Sequence, residues 1–465
     1  MTEQDPSRKH PGDGPNAAAE AVAASKTVPS GPADAAAAQI AQPGPGEKAP
    51  APAPAPRGAV FLRELMRGSV VTTVLAIVAA FVIGGILIAV TDPAVQQASG
   101  YFFARPLDTL SAIWKAVSDG YGALFQGSVI NFAAPDFATA ITPFTNTLKF
   151  ATPLIMAGLG VGLAFRVGLF NIGGQGQILI AGVFAGFLSF QLPFDMPIWL
   201  HIPFSILVGA LGGAIWGGIA GFLKARTGAH EVILTIMLNW IALYLVGYLV
   251  RTPGLQKPGS NQSQSVPTPE SARFPALFGD RYPGLTVGFL IAIILAVAVW
   301  WLMERSSLGF RMRAVGENPS AARAAGISVQ RMYIYAMVFA GALAGIAGVN
   351  QISTTTVDGF NNGFDSGIGF DAITVALLGR SRAGGVFAAG LLFGALKAGS
   401  FAMAGLGIPK EIVVVVQSII VLFIAAPPLV RTIFFLPKSE AERAAKAKAK
   451  AERHAARAAR KEVAA

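Results

Sequence analysis

Apolar residues fall in long blocks separated by short polar, glycine-rich or basic intervals. Ten blocks stand out, at about 70–90, 145–165, 177–190, 198–223, 232–250, 284–303, 332–352, 369–378, 384–403 and 412–430. Several reach the roughly 18 or more apolar residues that read as membrane spans. The block at 369–378 is short for a crossing. The pattern predicts an all-α polytopic membrane protein with about ten transmembrane helices. The stretch at 91–140 has mixed polarity. Its spaced apolar residues and Trp114 predict an interfacial helix over about 107–124.

The polar interval at 305–331 has internal structure of its own. Asn318 followed by Pro319 is a helix start, because the Asn side chain caps free N–H groups and proline tolerates the first helical position. Ser320 to Ala325 continue as a short helix of about two turns, and Gly326 suits the left-handed residue just past its end. Upstream, Leu308, Phe310 and Met312 alternate with Gly309, Arg311 and Arg313. That alternation predicts an apolar edge opposite a cationic one, on a loop shaped to touch another molecule.

Composition supports the membrane reading. The chain has 465 residues, of which 53% are hydrophobic and 13% charged, with a mean hydropathy of +0.56. Soluble proteins carry about 25% charged residues. The net charge of +11 is placed mostly in the C-terminal tail and in intervals that fall on one side. With the N-terminus inside, a count of ten puts Arg166, Lys224, Arg226, 305–331, Arg380, Arg382 and the tail all in the cytoplasm, as the positive-inside bias requires. That bias explains the charge without nucleic acid. Five spans per half is an odd number, so the second half starts from the opposite side and an inverted 5+5 repeat is admitted.

Residues 1–56, rich in Ala, Pro and Gly without an aromatic residue, are expected to be a disordered cytoplasmic tail. Residues 57–437 would form the membrane domain and 438–465 a basic cytoplasmic tail. There is no cysteine and there are four histidines, so neither thiol chemistry nor a dense metal site is expected.

Two interruptions carry candidate chemistry. Residues 168–177 pack Gly173, Gly174 and Gly176 beside Asn171, Gln175 and Gln177. Polar irregular backbone at membrane depth survives only against protein or a water-filled cavity. The stretch reads either as a broken segment beside a pathway or as a tight turn with close helix packing. Residues 359–371 resemble it, with Phe360, Phe364 and Phe370 among Gly, Asn and Asp. Glycine-interrupted short spans in both halves point to a transporter's binding site, and the alternative is an ordinary outer loop with a helix cap. Asn239 lies inside a span, where hydrogen bonding between helices is the simpler role. Lys149 and Lys397 can snorkel. Asp371 is the acidic candidate near membrane depth. We therefore place Asn171, Gln175, Asn239, Phe370 and Asp371 near a pathway. No phosphate-binding G-x-x-x-x-G-K-[ST] sequence occurs, His230-Glu231 lacks the second histidine of a zinc protease, and no Ser/His/Asp constellation stands out. No catalytic residue or cofactor is expected.

The segments AFRVGLFNIGGQGQ (164–177), IMLNWIA (236–242), AVGENPSAARAAGI (314–327) and GFDAITVALLGRSRAGGVFAAGLLFGAL (369–396) resemble the membrane permeases of ABC importers. The family is the one containing branched-chain amino acid and ribose permeases, and the resemblance is nearest to its nucleoside and simple-sugar branch. It covers about 60–450. It implies a permease in a bacterial plasma membrane, served by separate ATPase subunits, a second permease chain that is often related, and an extracytoplasmic substrate-binding protein or lipoprotein. The loop matching 314–327 is then the element that meets the ATPase, through Gly316, Glu317, Asn318, Pro319, Arg323 and Gly326. Gln175 departs from the pattern, where an acidic residue is expected. Two rival classes remain open on the residues alone, an ion-coupled secondary transporter and a membrane enzyme. The first has few titratable candidates beyond Asp371; the second lacks clustered His, Cys or paired carboxylates.

Overall fold

The computed structural model describes residues 69–192 and 194–434. The expected tails at 1–56 and 438–465 lie outside the described residues. In chain order the helices are α1 (Ser69–Thr91), α2 (Pro93–Ser99), α3 (Pro106–Ser128), α4 (Phe137–Arg166), α5 (Gly174–Phe184), α6 (Ile198–Thr227), α7 (Glu231–Leu249), α8 (Val287–Arg305), α9 (Ser307–Glu317), α10 (Pro319–Ala324), α11 (Val329–Thr354), α12 (Ile368–Leu378), α13 (Ala383–Gly405), α14 (Glu411–Ala425) and α15 (Pro427–Ile433). A π-helical turn, Ala185–Ser189, extends α5. Among the described residues β pairing is confined to two isolated bridges, Gln256 with Ser265 and Ala276 with Thr286.

Among the described residues seven helices (α1, α4, α6, α7, α8, α11 and α13) are long and apolar enough to cross a membrane, and three shorter apolar ones match the remaining predicted blocks. The shorter ones are α5 with its extension, α12 and α14. The expected span at 412–430 breaks after Ala425. Pro427 and Pro428 follow, and a residue before proline is driven out of the α region. Ala426 accordingly takes φ −120° and ψ 66°.

Burial ranks the helices. In α4, 83% of the most apolar stretch is buried, and in α11 61%, against 22% in α7 and 28% in α8. So α4 and α11 form the core, while α7 and α8 present open apolar faces. Lipid tails are as apolar as leucine, so close van der Waals fit has to replace hydrophobic driving force between helices. The sequence supplies it with glycine. Gly209, Gly213, Gly217 and Gly221 repeat every four residues on one face of α6 and meet Gly341, Gly345 and Met337 of α11. A Cβ on Gly213 would strike the Gly341 carbonyl oxygen, and one on Gly341 would strike that of Gly213. On the other side Gly390 and Gly394 of α13 lie against Ile155 and Ala151 of α4.

The contacts obey an exchange of halves. With α1 and α4–α7 as the first half and α8 and α11–α14 as the second, α4 packs on α13 as α11 packs on α6. Likewise α4 meets α12 as α11 meets α5, and α5 meets α6 and α7 as α12 meets α13 and α14. The pairs α4–α11 and α5–α12 map onto themselves. This is the pattern of a two-fold repeat, and it is carried by the inner helices.

Two local expectations change. The helix expected over 107–124 is longer and is wedged between α1 and α13: Gly120 lies between Ile88 and Ile408, and Leu124 backs onto Gly399. Trp114 points away from that contact and is exposed. The alternation at 308–313 does not form an edge. Ser306 accepts a hydrogen bond from the Gly309 N–H at 2.9 Å and starts α9. The buried set is then Gly309, Met312 and Val315, three residues apart, and Phe310 is 61% exposed.

Candidate functional site

The chain leaves α4 at Arg166 and turns at Gly168, whose φ of +80° suits glycine. After the α4 end is closed by the Gly168 and Leu169 N–H groups, residues 169–172 lie outside any helix until α5 starts at Gly174. Their polar backbone groups need partners, and side chains provide them. Asn239 of α7 accepts from the Gly176 N–H at 2.9 Å and donates to the Ile172 carbonyl at 2.9 Å. Thr235 Oγ1 accepts from the Ile172 N–H at 3.3 Å. Asn171 accepts from the Gly173 N–H at 2.9 Å and pairs with the Gln177 amide at 3.3 Å. Asn171, Gln177 and Asn239 are all buried. Asn239 and Thr235 fasten the broken segment to α7, while Asn171 and Gln177 tie it to the start of α5.

A second irregular segment enters from the far end of α11. Phe360 fits over Gly186 and Phe364 over Gly182, and the two rings stand 5.1 Å apart. Both are buried among helices, so of the three rings in this stretch Phe370 is the open one, at 50% exposure. The segment is secured above by Ser265, whose N–H donates to the Phe360 carbonyl at 2.8 Å and whose Oγ accepts from the Phe360 N–H at 2.9 Å. Residues 359–367 are therefore inserted alongside α5. Ser366 and Gly367 both have positive φ, 49° and 81°. A non-glycine residue there is strained, and the sharp turn it makes aims the start of α12 at the start of α5.

The two short helices meet where Gly174 and Gln175 touch Gly369. Around this seam lies a charged rim. Gln175 lies near Asp365, which is 2% exposed and accepts from the Gly367 N–H at 3.2 Å. Lys397, on α13, donates to the Ser366 carbonyl at 3.0 Å and stands 3.9 Å from Asp371. The Lys397 and Asp371 side chains are 25% and 33% exposed. α12 has eleven residues, about 16 Å at 1.5 Å per residue, roughly half of a hydrocarbon core of ~30 Å. The rim is thus well inside the bundle. Partly exposed charges at such depth border protein or water, since in lipid each costs at least ~2.5 kcal/mol. Carboxylate acceptors, an ammonium donor and an open phenyl ring can together hydrogen-bond and stack on a polar solute.

Of the residues expected near a pathway, the structure brings Gln175, Phe370 and Asp371 together at this rim. Asn171 and Asn239 lie behind it, in the anchoring knot. Asp365 and the pairing of Lys397 were not foreseen. Two acidic residues six apart, either side of Gly367, are the signal that would have pointed to them. No group of three or more potential metal ligands occurs among the described residues.

At the basic end, Asn318 Oδ1 accepts from the N–H groups of Ser320 and Ala321, both at 3.0 Å, and Gly326 has φ +80°. The short helix α10 forms as expected. It is held by buried Ala322, while Glu317, Asn318, Pro319, Arg323 and Gly326 are exposed. Gly316 packs on the Arg166 carbonyl at the end of α4. The loop is thus fixed on one side and bare on the other.

Comparison with known proteins adds the family. Residues 144–425 match the family described as branched-chain amino acid transport system / permease component. The chain is 35% identical over 320 residues to the guanosine ABC transporter permease protein NupP of Bacillus subtilis (strain 168), covering 68% of this chain and 88% of that protein. It is 34% identical over 311 residues to the nucleoside ABC transporter permease protein NupB of Lactococcus lactis subsp. cremoris, covering 65% and 83%. It is 31% identical over 315 residues to the glucose ABC transporter permease protein TsgB13 of Haloferax volcanii, covering 66% and 80%. No solved structure matches. The chain belongs to the branched-chain amino acid transport system permease family, as a multi-pass membrane permease subunit of the ABC transporter class.

Proposed function

We propose that this permease imports nucleosides or related simple sugars, driven by ATP hydrolysis in a separate subunit. The observation that carries the reading is the partly exposed rim of Gln175, Phe370, Asp371 and Lys397, backed by buried Asp365, inside a bundle whose other end displays a bare, fixed helix. The names of the relatives, guanosine, nucleoside and glucose permeases, support the substrate class. The rim faces a path completed by a second permease chain, identical or related. A substrate-binding protein or lipoprotein delivers solute on the outer side. The basic end lies in the cytoplasm with both termini, by the positive-inside bias, in a bacterial plasma membrane.

In this mechanism the ATPase docks on α10 and its flanks, through Gly316, Glu317, Asn318, Pro319, Arg323 and Gly326. Closure of the ATPase pair moves α9 and α10. The two five-span halves then tilt about the α4–α11 core, and access to the rim alternates between the two sides. Asn171 and Asn239 keep the broken segment in register during that motion.

A second reading is an ion-coupled carrier using the Asp365–Lys397–Asp371 cluster as its titratable site. Uptake of labelled guanosine separates the two. Loss of uptake when the partner ATPase is made hydrolysis-dead, with little effect of a protonophore, supports the ATP-driven importer. Uptake that survives the dead ATPase but collapses with the ion gradient establishes the carrier instead.

A further inference from the structure

Glu304 lies one residue before the end of α8, yet it joins three helices. One carboxylate oxygen pairs with Arg166, the last residue of α4. The other lies 3.3 Å from Arg313, in the middle of α9. Beside this clamp the backbones of the same two helices are in contact, because Gly316 has no Cβ to separate it from the Arg166 carbonyl. Gly168, where the broken segment begins, faces Gly316 at 3.6 Å from where its own Cβ would be. Met312 and Val315 bury the inner face of α9. On the far side of Glu304 is a cavity of about 530 Å³, lined by Arg166, Trp300, Ser381, Arg382 and the first residues of α13. The joint is packed towards α9 and α4 and open towards α13.

We propose that Glu304 is a positioning residue of the transport cycle, passing the displacement of α9 and α10 to the end of α4. The proposal rests on the ATP-driven reading above. A rigid packed face moves as a body, and motion goes where packing leaves room. Here that room is the cavity beside α13. The end of α4 continues directly into residues 168–177, so a shift of Arg166 carries Gly168, the Asn171–Asn239 knot and Gln175 with it. The clamp's side chains are partly exposed, 23% to 38%, and ion pairs open to water add little to stability, so the clamp's loss spares the fold and removes the link. Neutralising either partner breaks one path, and neutralising both breaks the same path.

The test uses the complete importer in proteoliposomes with its ATPase, partner permease and binding protein. Glu304→Gln, Arg313→Gln, the double variant and Glu304→Asp are compared with the parent. We expect the ATPase to remain bound and basal ATP hydrolysis to persist in all of them. The maximal uptake rate and the stimulation of hydrolysis by loaded binding protein fall on the order of tenfold, with the substrate KM unchanged. The double variant is no worse than either single one, and Glu304→Asp recovers part of the loss. Parental uptake in Glu304→Gln overturns the proposal, as do additive losses in the double variant. If Glu304→Gln fails to assemble, Arg313→Gln decides, because it leaves the Arg166 pair in place; parental uptake there is equally fatal. A parent that shows no ATP-dependent uptake refutes the importer reading itself, a result distinct from either.

Discussion

Asn239 shows what a single polar residue does inside this bundle. It satisfies one donor and one acceptor of a segment that lies 63 and 67 residues away in sequence. Asn239→Ala would leave the buried Gly176 N–H unpaired, at about 1–3 kcal/mol, and the part-buried Ile172 carbonyl without its partner. Thermal unfolding of the detergent-solubilised protein should show a clear drop; an unchanged midpoint would mean that the knot is not formed. Asp136 gives a prediction outside the spans. Hydrogen bonds from Thr139 first, then Arg281 nearby and the Ala138 N–H, hold its carboxyl below the ordinary range. Its capping of α4 is therefore present at neutral pH, persists through the ordinary carboxylate range, and is lost only as pH falls below it. Hydrogen exchange at the start of α4 should rise on acidification in the parent. In Asp136→Asn the same exchange should lose its acid dependence, and persistence of that dependence would assign it elsewhere. An asparagine in an apolar span was readable from the sequence, but its partners were not, because they come from a distant irregular segment. Asp365 was passed over for a similar reason: it reads as loop, and only the insertion beside α5 makes it buried.

Elements were legible where their signal is local. The Asn-Pro start and glycine stop of α10 are written within nine residues, and the helix forms between them. The preceding stretch was misread because alternation over six residues fits a strand edge as well as it fits a helix with buried positions three apart. Ser306 as a cap was the deciding residue. Glycine spacing in α6 is likewise local, but its meaning depends on the mate. Gly213→Val would push α6 off the Gly341 backbone, costing at least the ~1–3 kcal/mol typical of overpacking. Size-exclusion profiles of the purified variant should show loss of the folded peak, and a normal profile would contradict the contact. On the bare side of α10, replacing Glu317 or Arg323 with Ala should weaken both transport and ATPase co-purification while membrane insertion is unaffected. Normal uptake and normal co-purification in both variants would remove this element from the docking role.

At the scale of the whole molecule, the block pattern predicted the number of hydrophobic helices, and charge placement predicted which ends share a side. The exchange of halves was admitted by the odd count alone; the contacts of α4 with α13 and of α11 with α6 supply the matching pattern. That arrangement sets two short helices nose to nose, with a charged rim at their junction and the basic end joined to α4 through Glu304. The proposed coupling runs from α10 outside the bundle to the rim inside it, and the sequence holds no G-x-x-x-x-G-K-[ST] segment. The central claim is that the work is done by another subunit's ATP. The direct measurement is uptake of labelled guanosine into vesicles that contain the whole importer, with the partner ATPase either active or hydrolysis-dead. The account predicts accumulation with the active ATPase and none with the dead one, whatever the proton gradient. Equal accumulation in both, abolished by a protonophore, would contradict it.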